Sequence, residues 1–146
     1  MIRRATPADL DAIRACAIAA YRIYVGRIGR EPAPMVADFG ASIERGELDV
    51  IEVASRVAGF VVYYARADHV HLENVAVDPT LQGRRLGFSL VGHVENRARE
   101  LGFTRVELYT NAKMTENLEL YPRLGYIEFD RRIEDGFDRV YFSKNL

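Results

Sequence analysis

Between residues 75 and 91 the chain reads VAVDPTLQGRRLGFSLV, a strand-like stretch that turns a corner at Gln82-Gly83-Arg84-Arg85-Leu86-Gly87 and continues through Phe88 into a helical pattern. A loop feeding the N-terminus of a helix exposes backbone N–H groups without intrahelical partners, at the positive end of the helix dipole. That arrangement binds phosphate even without side chains. Gly83 and Gly87 permit close approach and unusual φ values, while Arg84 and Arg85 add positive charge at the same spot. Two familiar nucleotide loops are excluded. No Gly-Lys-Ser/Thr follows the glycines, as a P-loop needs, and there is no G-x-G-x-x-G within a parallel sheet. On spacing alone, a strand-to-helix turn carrying surface arginines and no ligand is an equal reading.

A second group of reactive side chains lies just upstream. In HVHLENVAV, residues His69, His71 and Glu73 alternate, so in a strand they share one face and offer proton acceptors. The single cysteine, Cys16, sits in the apolar run IRACAIAAY and reads as a small buried hydrophobe rather than a reactive thiol. One cysteine excludes an internal disulfide and fits a reducing compartment.

The elements that position these groups follow from periodicity and punctuation. MIRRA reads as a first strand. TPADLDAIRACAIAAYRIY reads as a helix with Thr6 as N-cap, Pro7 at its first position and Leu10, Ile13, Ala17, Ala20, Tyr21 and Tyr24 at helical spacing. A proline-broken loop and a short helix over 36–46 follow. Three strands come next, over 48–54, 56–67 and 69–77, with Ser55-Arg56 as a weak hairpin turn. The clearest helix spans 83–101, with Leu86, Leu90, Val91, Val94, Ala98 and Leu101 on one stripe and Gly102 as its terminator. A strand at FTRVELYT, a short helix ending at Gly125 and a hairpin turning at Asp135-Gly136 complete the chain. The order β-α-α-β-β-β-α-β-α-β-β predicts an α+β, three-layer domain over 1–146, with a mixed, mostly antiparallel sheet and helices on its faces. At 146 residues one domain buries about two-thirds of its unfolded surface. A formal charge of −1 provides no field toward nucleic acid or an anionic membrane. Arg84, Arg85, Arg97 and Arg99 are interrupted by Glu95 and Glu100 and have no aromatic platform, which disfavours a nucleic-acid module. The N-terminus lacks a signal-peptide core and no apolar run reaches membrane length, so the cytoplasm is the expected location.

VAVDPTLQGRRLG resembles the acyl-CoA signature of the GNAT superfamily of N-acetyltransferases, a strand ending Val-x-Val followed by Gln/Arg-x-x-Gly-x-Gly/Ala. NLELYPRLGYIEFDRR is similar to that superfamily's second hallmark, a tyrosine before a helix end and Gly-Phe/Tyr. The two stand in order, with Gly87 and Tyr121 34 residues apart. The resemblance covers essentially the whole chain and implies a GNAT fold of six or seven strands and four helices, with a β-bulge splaying strands 4 and 5. It implies acetyl-CoA as co-substrate and no metal. Coenzyme A carries a pyrophosphate that suits residues 82–88 and an amide-rich arm that suits an exposed strand edge. The implied edge is Asn74, Val75, Ala76 and Val77, with the backbone of Val75 and Val77 holding the arm and aiming the thioester carbonyl at a backbone donor. Arg85 stands where the pattern has glycine. With a helical φ its N–H would still face phosphate, and its side chain would turn outward or clamp the phosphates.

Acetyl transfer to an amine needs a neutral amine, a stabilised oxyanion and a hydrogen bond or proton for the departing thiolate. Tyr121 matches the hallmark tyrosine and suits the last role, a phenol titrating near ~10. Glu73 or His71 is the candidate base, directly or through water, with water alone the other reading; Asn117, one helical turn before Tyr121, is either a hydrogen-bond partner of the amide arm or simply a polar residue at a helix start. Tyr21, Tyr24, Arg27, Arg30, Met35 and Asp38 are candidate walls of the acceptor pocket. Their mixed charge leaves a small primary amine, an amino acid and a protein N-terminus all admissible. The other reading is a non-catalytic CoA-binding or protein-interaction domain of the same fold, forming a homodimer through its C-terminal strand. Arg85→Gly is expected to change the CoA dissociation constant by under roughly tenfold, about 1.4 kcal/mol, in isothermal titration calorimetry. A larger loss identifies the guanidinium as a principal phosphate ligand.

Overall fold

The computed structural model describes residues 1–81 and 83–146; Gln82, expected at the anion-binding corner, lies outside the described residues. The elements run β1 (Ile2–Arg4), α1 (Leu10–Ile28), α2 (Phe39–Glu44), β2 (Leu48–Val53), β3 (Arg56–Ala65), β4 (Val70–Val77), α3 (Leu86–Glu100), β5 (Arg105–Asn111), α4 (Thr115–Arg123), β6 (Ile127–Glu134) and β7 (Phe137–Asn145). The strands form one sheet in the order β1-β2-β3-β4-β5-β7-β6. Every neighbouring pair is antiparallel except β4 with β5. The expected mixed α+β sheet with four helices is the one observed.

Each face carries its own core. Ile13, Ala17 and Tyr21 of α1 and Phe39 and Ile43 of α2 pack on Val50, Phe60, Val62 and Ala76. On the opposite face Leu90, Val91, Val94 and Ala98 of α3 and Tyr121 of α4 pack on Leu72, Val106, Leu108, Val140 and Phe142. The apolar stripe of α3 thus holds through Ala98, while Leu101 is half-exposed beyond the last turn. Residues 83–85, expected inside this helix, instead form its entry turn. The helix expected over 36–46 is shorter, because Asp38 caps it by accepting the Ala41 N–H at 3.1 Å. The first hairpin turns at Ala54-Ser55, not Ser55-Arg56. Both turn residues have positive φ, 52° and 63°, as a type I′ turn demands, so Ala54, expected in the first strand, belongs to the turn and Arg56 opens β3. The last hairpin turns at Asp135-Gly136 as expected, again with both φ positive.

The feature that matters most is in the middle of the sheet. β3 pairs with β4 in register from Gly59–Val77 to Val62–Asn74, then resumes at Tyr63–Leu72, so Glu73 is an extra residue in β4. This β-bulge shifts the side-chain alternation by one. Val70 and Leu72 face α3, and after the bulge so do Val75 and Val77. Past the same point β4 and β5 part: their parallel pairing ends at Leu72–Leu108, although β5 continues to Asn111 and β4 to Val77.

Close approach of β3 to β4 keeps this arrangement tight. A Cβ added at Gly59 would lie 2.6 Å from the Ala76 carbonyl oxygen. Gly59→Ala is therefore expected to destabilise the fold by about 1–3 kcal/mol in urea denaturation; unchanged stability would mean that β3 and β4 separate at no cost.

Candidate functional site

The parting of β4 and β5 opens a cavity of about 220 Å³. Its floor is Leu72, Glu73, Asn74 and Val75 of β4 and Tyr109, Thr110 and Asn111 of β5. In an antiparallel ladder alternate residues turn their backbone groups toward the partner strand and away from it. The Val75 carbonyl accepts the Tyr21 hydroxyl at 2.8 Å, so Val75, and with it Val77, presents its backbone to the open side, while Asn74 and Ala76 turn theirs to β3. Asn74 works through its side chain: Oδ1 accepts from Tyr21 at 2.7 Å and Nδ2 donates to the Pro34 carbonyl at 3.1 Å. It thereby ties α1 and the loop before α2 to the splayed strand.

Tyr121, Asn117 and Met114 close the α4 side. Tyr121 is 3% exposed, packs against Tyr126 and Phe142, and its hydroxyl has no hydrogen-bond partner among the described residues. Burial pushes its pKa well above that of an ordinary phenol, with a further contribution from Tyr24, so it stays protonated. Asn117 donates to the Thr110 hydroxyl at 3.1 Å, which fixes the start of α4 to β5.

Glu73, the bulge residue, is held by three donors. His71 Nε2 lies 2.6 Å from its Oε2, the Tyr64 hydroxyl is 3.2 Å away, and the Tyr109 hydroxyl is 3.4 Å from Oε1. Burial acts to raise the pKa of Glu73, but these hydrogen bonds outweigh it and the net shift is downward. Tyr109, half-buried beside that carboxylate, is pushed up to about 12, first by burial and then by the charge of Glu73. The expected His71–Glu73 juxtaposition is observed, and His71 also stacks on Tyr109 with ring centroids 5.6 Å apart. His69 lies just before β4 and bonds Asp68 at 2.7 Å, away from the cavity lining.

The end of α1 roofs the site. Arg27 pairs with Glu116 at 2.6 Å and Tyr24 donates to the same carboxylate at 3.3 Å. Arg30 bonds the Asp135 carbonyl at 2.6 Å and lies 3.7 Å from the Phe137 ring centre. Of the expected acceptor-pocket residues only Tyr21 lines the cavity. Tyr24, Arg27 and Arg30 hold the roof in place, Met35 packs against the α1–α2 core, and Asp38 is a helix cap. Tyr109, Thr110, Phe137 and Arg139 line the cavity and were missed. Strand alternation puts Arg139 and Tyr141 on one face of β7, but nothing in the sequence pairs β7 with β5.

At the corner, Gly83 has φ +90° and neither Gly83 nor Gly87 has an atom within 4 Å of where a Cβ would stand. Arg85, immediately before α3, has φ 58° and ψ 30°. The expected helical φ is thus corrected to a left-handed one, which costs a non-glycine residue about 1–2 kcal/mol and explains why glycine suits the position. The Arg85 guanidinium folds back to 4.7 Å from the Phe88 ring centre, outward along the first turn. The N–H groups of Leu86, Gly87 and Phe88 open the helix and lack intrahelical acceptors.

Comparison with known proteins follows the same lines. The model of the acetyltransferase (GNAT) family matches residues 17–126. The chain is 31% identical over 85 residues to an uncharacterized N-acetyltransferase, YvbK, of Bacillus subtilis, covering 58% of this chain and 55% of that one. It is 33% identical over 73 residues to the [ribosomal protein bS18]-alanine N-acetyltransferase of Salmonella typhimurium, covering 50% and 49%. It therefore spans about half the length of the curated relatives it matches. Its fold is similar to that of a PaiA N-acetyltransferase from Thermoplasma acidophilum, solved in complex with coenzyme A, with TM-score 0.79 at 15% identity over 100% of this chain and 98% of the other. With the family model running from α1 through the bulge, the corner and Tyr121, the chain belongs to the acetyltransferase (GNAT) family.

Proposed function

We propose that this chain, as a single catalytic domain, transfers an acetyl group from acetyl-CoA to a primary amine by direct attack in a ternary complex. The observation that carries the reading is the parting of β4 from β5, which joins the unpaired edge at Val75, the Tyr121 hydroxyl and Glu73 in one cavity. The residues present fit coenzyme A. Open space beside Gly83 and Gly87 and the free N–H groups of the first turn of α3 suit a pyrophosphate, with Arg84 and Arg85 adding charge. The outward-turned backbone of Val75 and Val77 suits an amide arm. A reducing compartment, the cytoplasm, fits the buried free thiol of Cys16.

Acetyl-CoA, when bound, supplies the acetyl thioester. The chain's own residues do the rest. Val75 and Val77 orient the arm by strand-like pairing, and Asn117 has an amide oxygen to spare for it. Glu73, ionised because three donors hold it low, accepts the amine proton directly or through a water. Tyr121, protonated because it is buried, donates to the departing sulfur. The buried setting strengthens both interactions relative to water.

Tyr121→Phe is expected to lower kcat at least about tenfold while acetyl-CoA affinity, read by calorimetry, stays nearly unchanged. Unaltered turnover removes Tyr121 from the chemistry. Glu73→Gln is expected to lower kcat by a similar factor with fold intact by circular dichroism; full activity would leave water alone as the base.

A further inference from the structure

Among the described residues, Arg139 is the cavity-lining group with unspent hydrogen-bonding capacity and charge together. It lies on β7, is 9% exposed, and faces the cavity beside Tyr109 and Phe137. A guanidinium carries five N–H donors in a rigid fork. None of them makes a hydrogen bond among the described residues. Its nearest carboxylates are loose: Glu134 Oε2 at 3.5 Å and Asp135 Oδ2 at 3.7 Å. Neither is dedicated to it. Glu134 is taken at its other oxygen by Arg132 at 2.8 Å and by the Tyr141 hydroxyl, and the Asp135 side chain is 81% exposed at the hairpin turn. Aromatic faces hold the group instead, with Cζ 4.3 Å from the centre of the Tyr109 ring and 5.9 Å from that of Phe137. A guanidinium held by ring faces keeps the donors at the edge of its fork for a planar anion.

The opposite charge stands across the same ring. Glu73 is bonded at the hydroxyl end of Tyr109, whereas Arg139 lies over its face, so the two charges flank one side chain without touching. A carboxylate at one end of the Tyr109 side chain and a guanidinium over its ring leave the two ends of one small acceptor, an amine and a neighbouring carboxylate, each facing a group of opposite charge. The cavity of about 220 Å³ is below the usual size of a drug-like site, which suits a small acceptor.

We propose that the acceptor is a zwitterion of the α-amino-acid type, its carboxylate gripped by Arg139 and its amine presented toward Glu73. This rests on the acetyl-transfer reading for the amine, and it separates a free amino acid from a protein N-terminus, where an uncharged amide replaces the carboxylate. Arg139 then sets specificity: it holds the acceptor at a point remote from the bond being made.

The test uses the native chain and thiol release from acetyl-CoA, with the common L-amino acids each paired with its own carboxamide. At least one free acid is expected to exceed its carboxamide at least tenfold in kcat/KM. Arg139→Gln is expected to raise KM for that acid at least tenfold, with a smaller change in kcat, and to erase the preference over the carboxamide; Arg139→Lys restores part of it. The acid–amide comparison needs only the native protein, so it stands even if a variant misfolds. Carboxamides or short peptides used as well as the acids overturn the carboxylate grip and leave the transferase reading intact. Acetyl-CoA binding by calorimetry with no turnover of any acid likewise overturns it. Absence of acetyl-CoA binding overturns both.

Discussion

One extra residue in a strand organises this molecule. Because Glu73 has no partner on β3, β4 bends and its alternation slips by one, and from there it follows β3 while β5 follows β7. Each half of the sheet keeps its own ladder, and the gap between the halves becomes the cavity. The cost is a stretch of backbone polar groups inside a sheet without strand partners, which folded proteins seldom leave unmet. Tyr21 meets part of it at the Val75 carbonyl. The remainder is the feature a ligand with its own amides would complete.

The cavity needs walls, and they come from the C-terminal end of α1. Tyr21 fastens the helix to the bulged strand, Tyr24 and Arg27 fasten it to the first turn of α4, and Arg30 fastens its end to the β6–β7 hairpin. The exposed ion pairs among these contribute little stability individually. Their effect is geometric: elements from four parts of the chain meet around one small volume. Charge inside that volume is arranged economically. The Glu73 carboxylate is held by three hydrogen-bond donors from its own sheet, whereas Arg139 is steadied by aromatic rings and only loosely paired with Glu134 and Asp135, so one charge is hydrogen-bonded and the other keeps its donors free among the described residues.

How much was legible beforehand depended on the range of the interaction concerned. The Asp135-Gly136 turn, the α3 stripe and the Gly102 stop are local, and local chemistry was enough to read them. Arg85 shows where local reading ends: its side chain says nothing about its φ, and only the glycine usual at that place hinted at the left-handed backbone found there. Ala54-Ser55 is similar, a type I′ turn built without the asparagine or glycine that normally announces one. The aromatics and charges of α1 and of the segment leading into α2 are conspicuous in the sequence and suggest the walls of an acceptor pocket. Most of those residues instead brace the roof, since helix ends satisfy their long polar side chains on whatever element lies nearest.

The order of elements, the mixed sheet, the strand-to-helix corner and the shared face of His71 and Glu73 were legible in the residues, because each follows from periods of two and 3.6 and from turn chemistry within a few residues. The splay of β4 from β5 was implied by the family resemblance, but only the tertiary structure placed β7 beside β5 and fixed the point of separation after Leu72 and Leu108. Those two facts bring Arg139, Tyr109, Glu73 and Tyr121 to one cavity from segments far apart in the chain. Strand pairing at that range is set by how two cores close on opposite faces of a twisted sheet, a global condition that no local pattern of residues encodes.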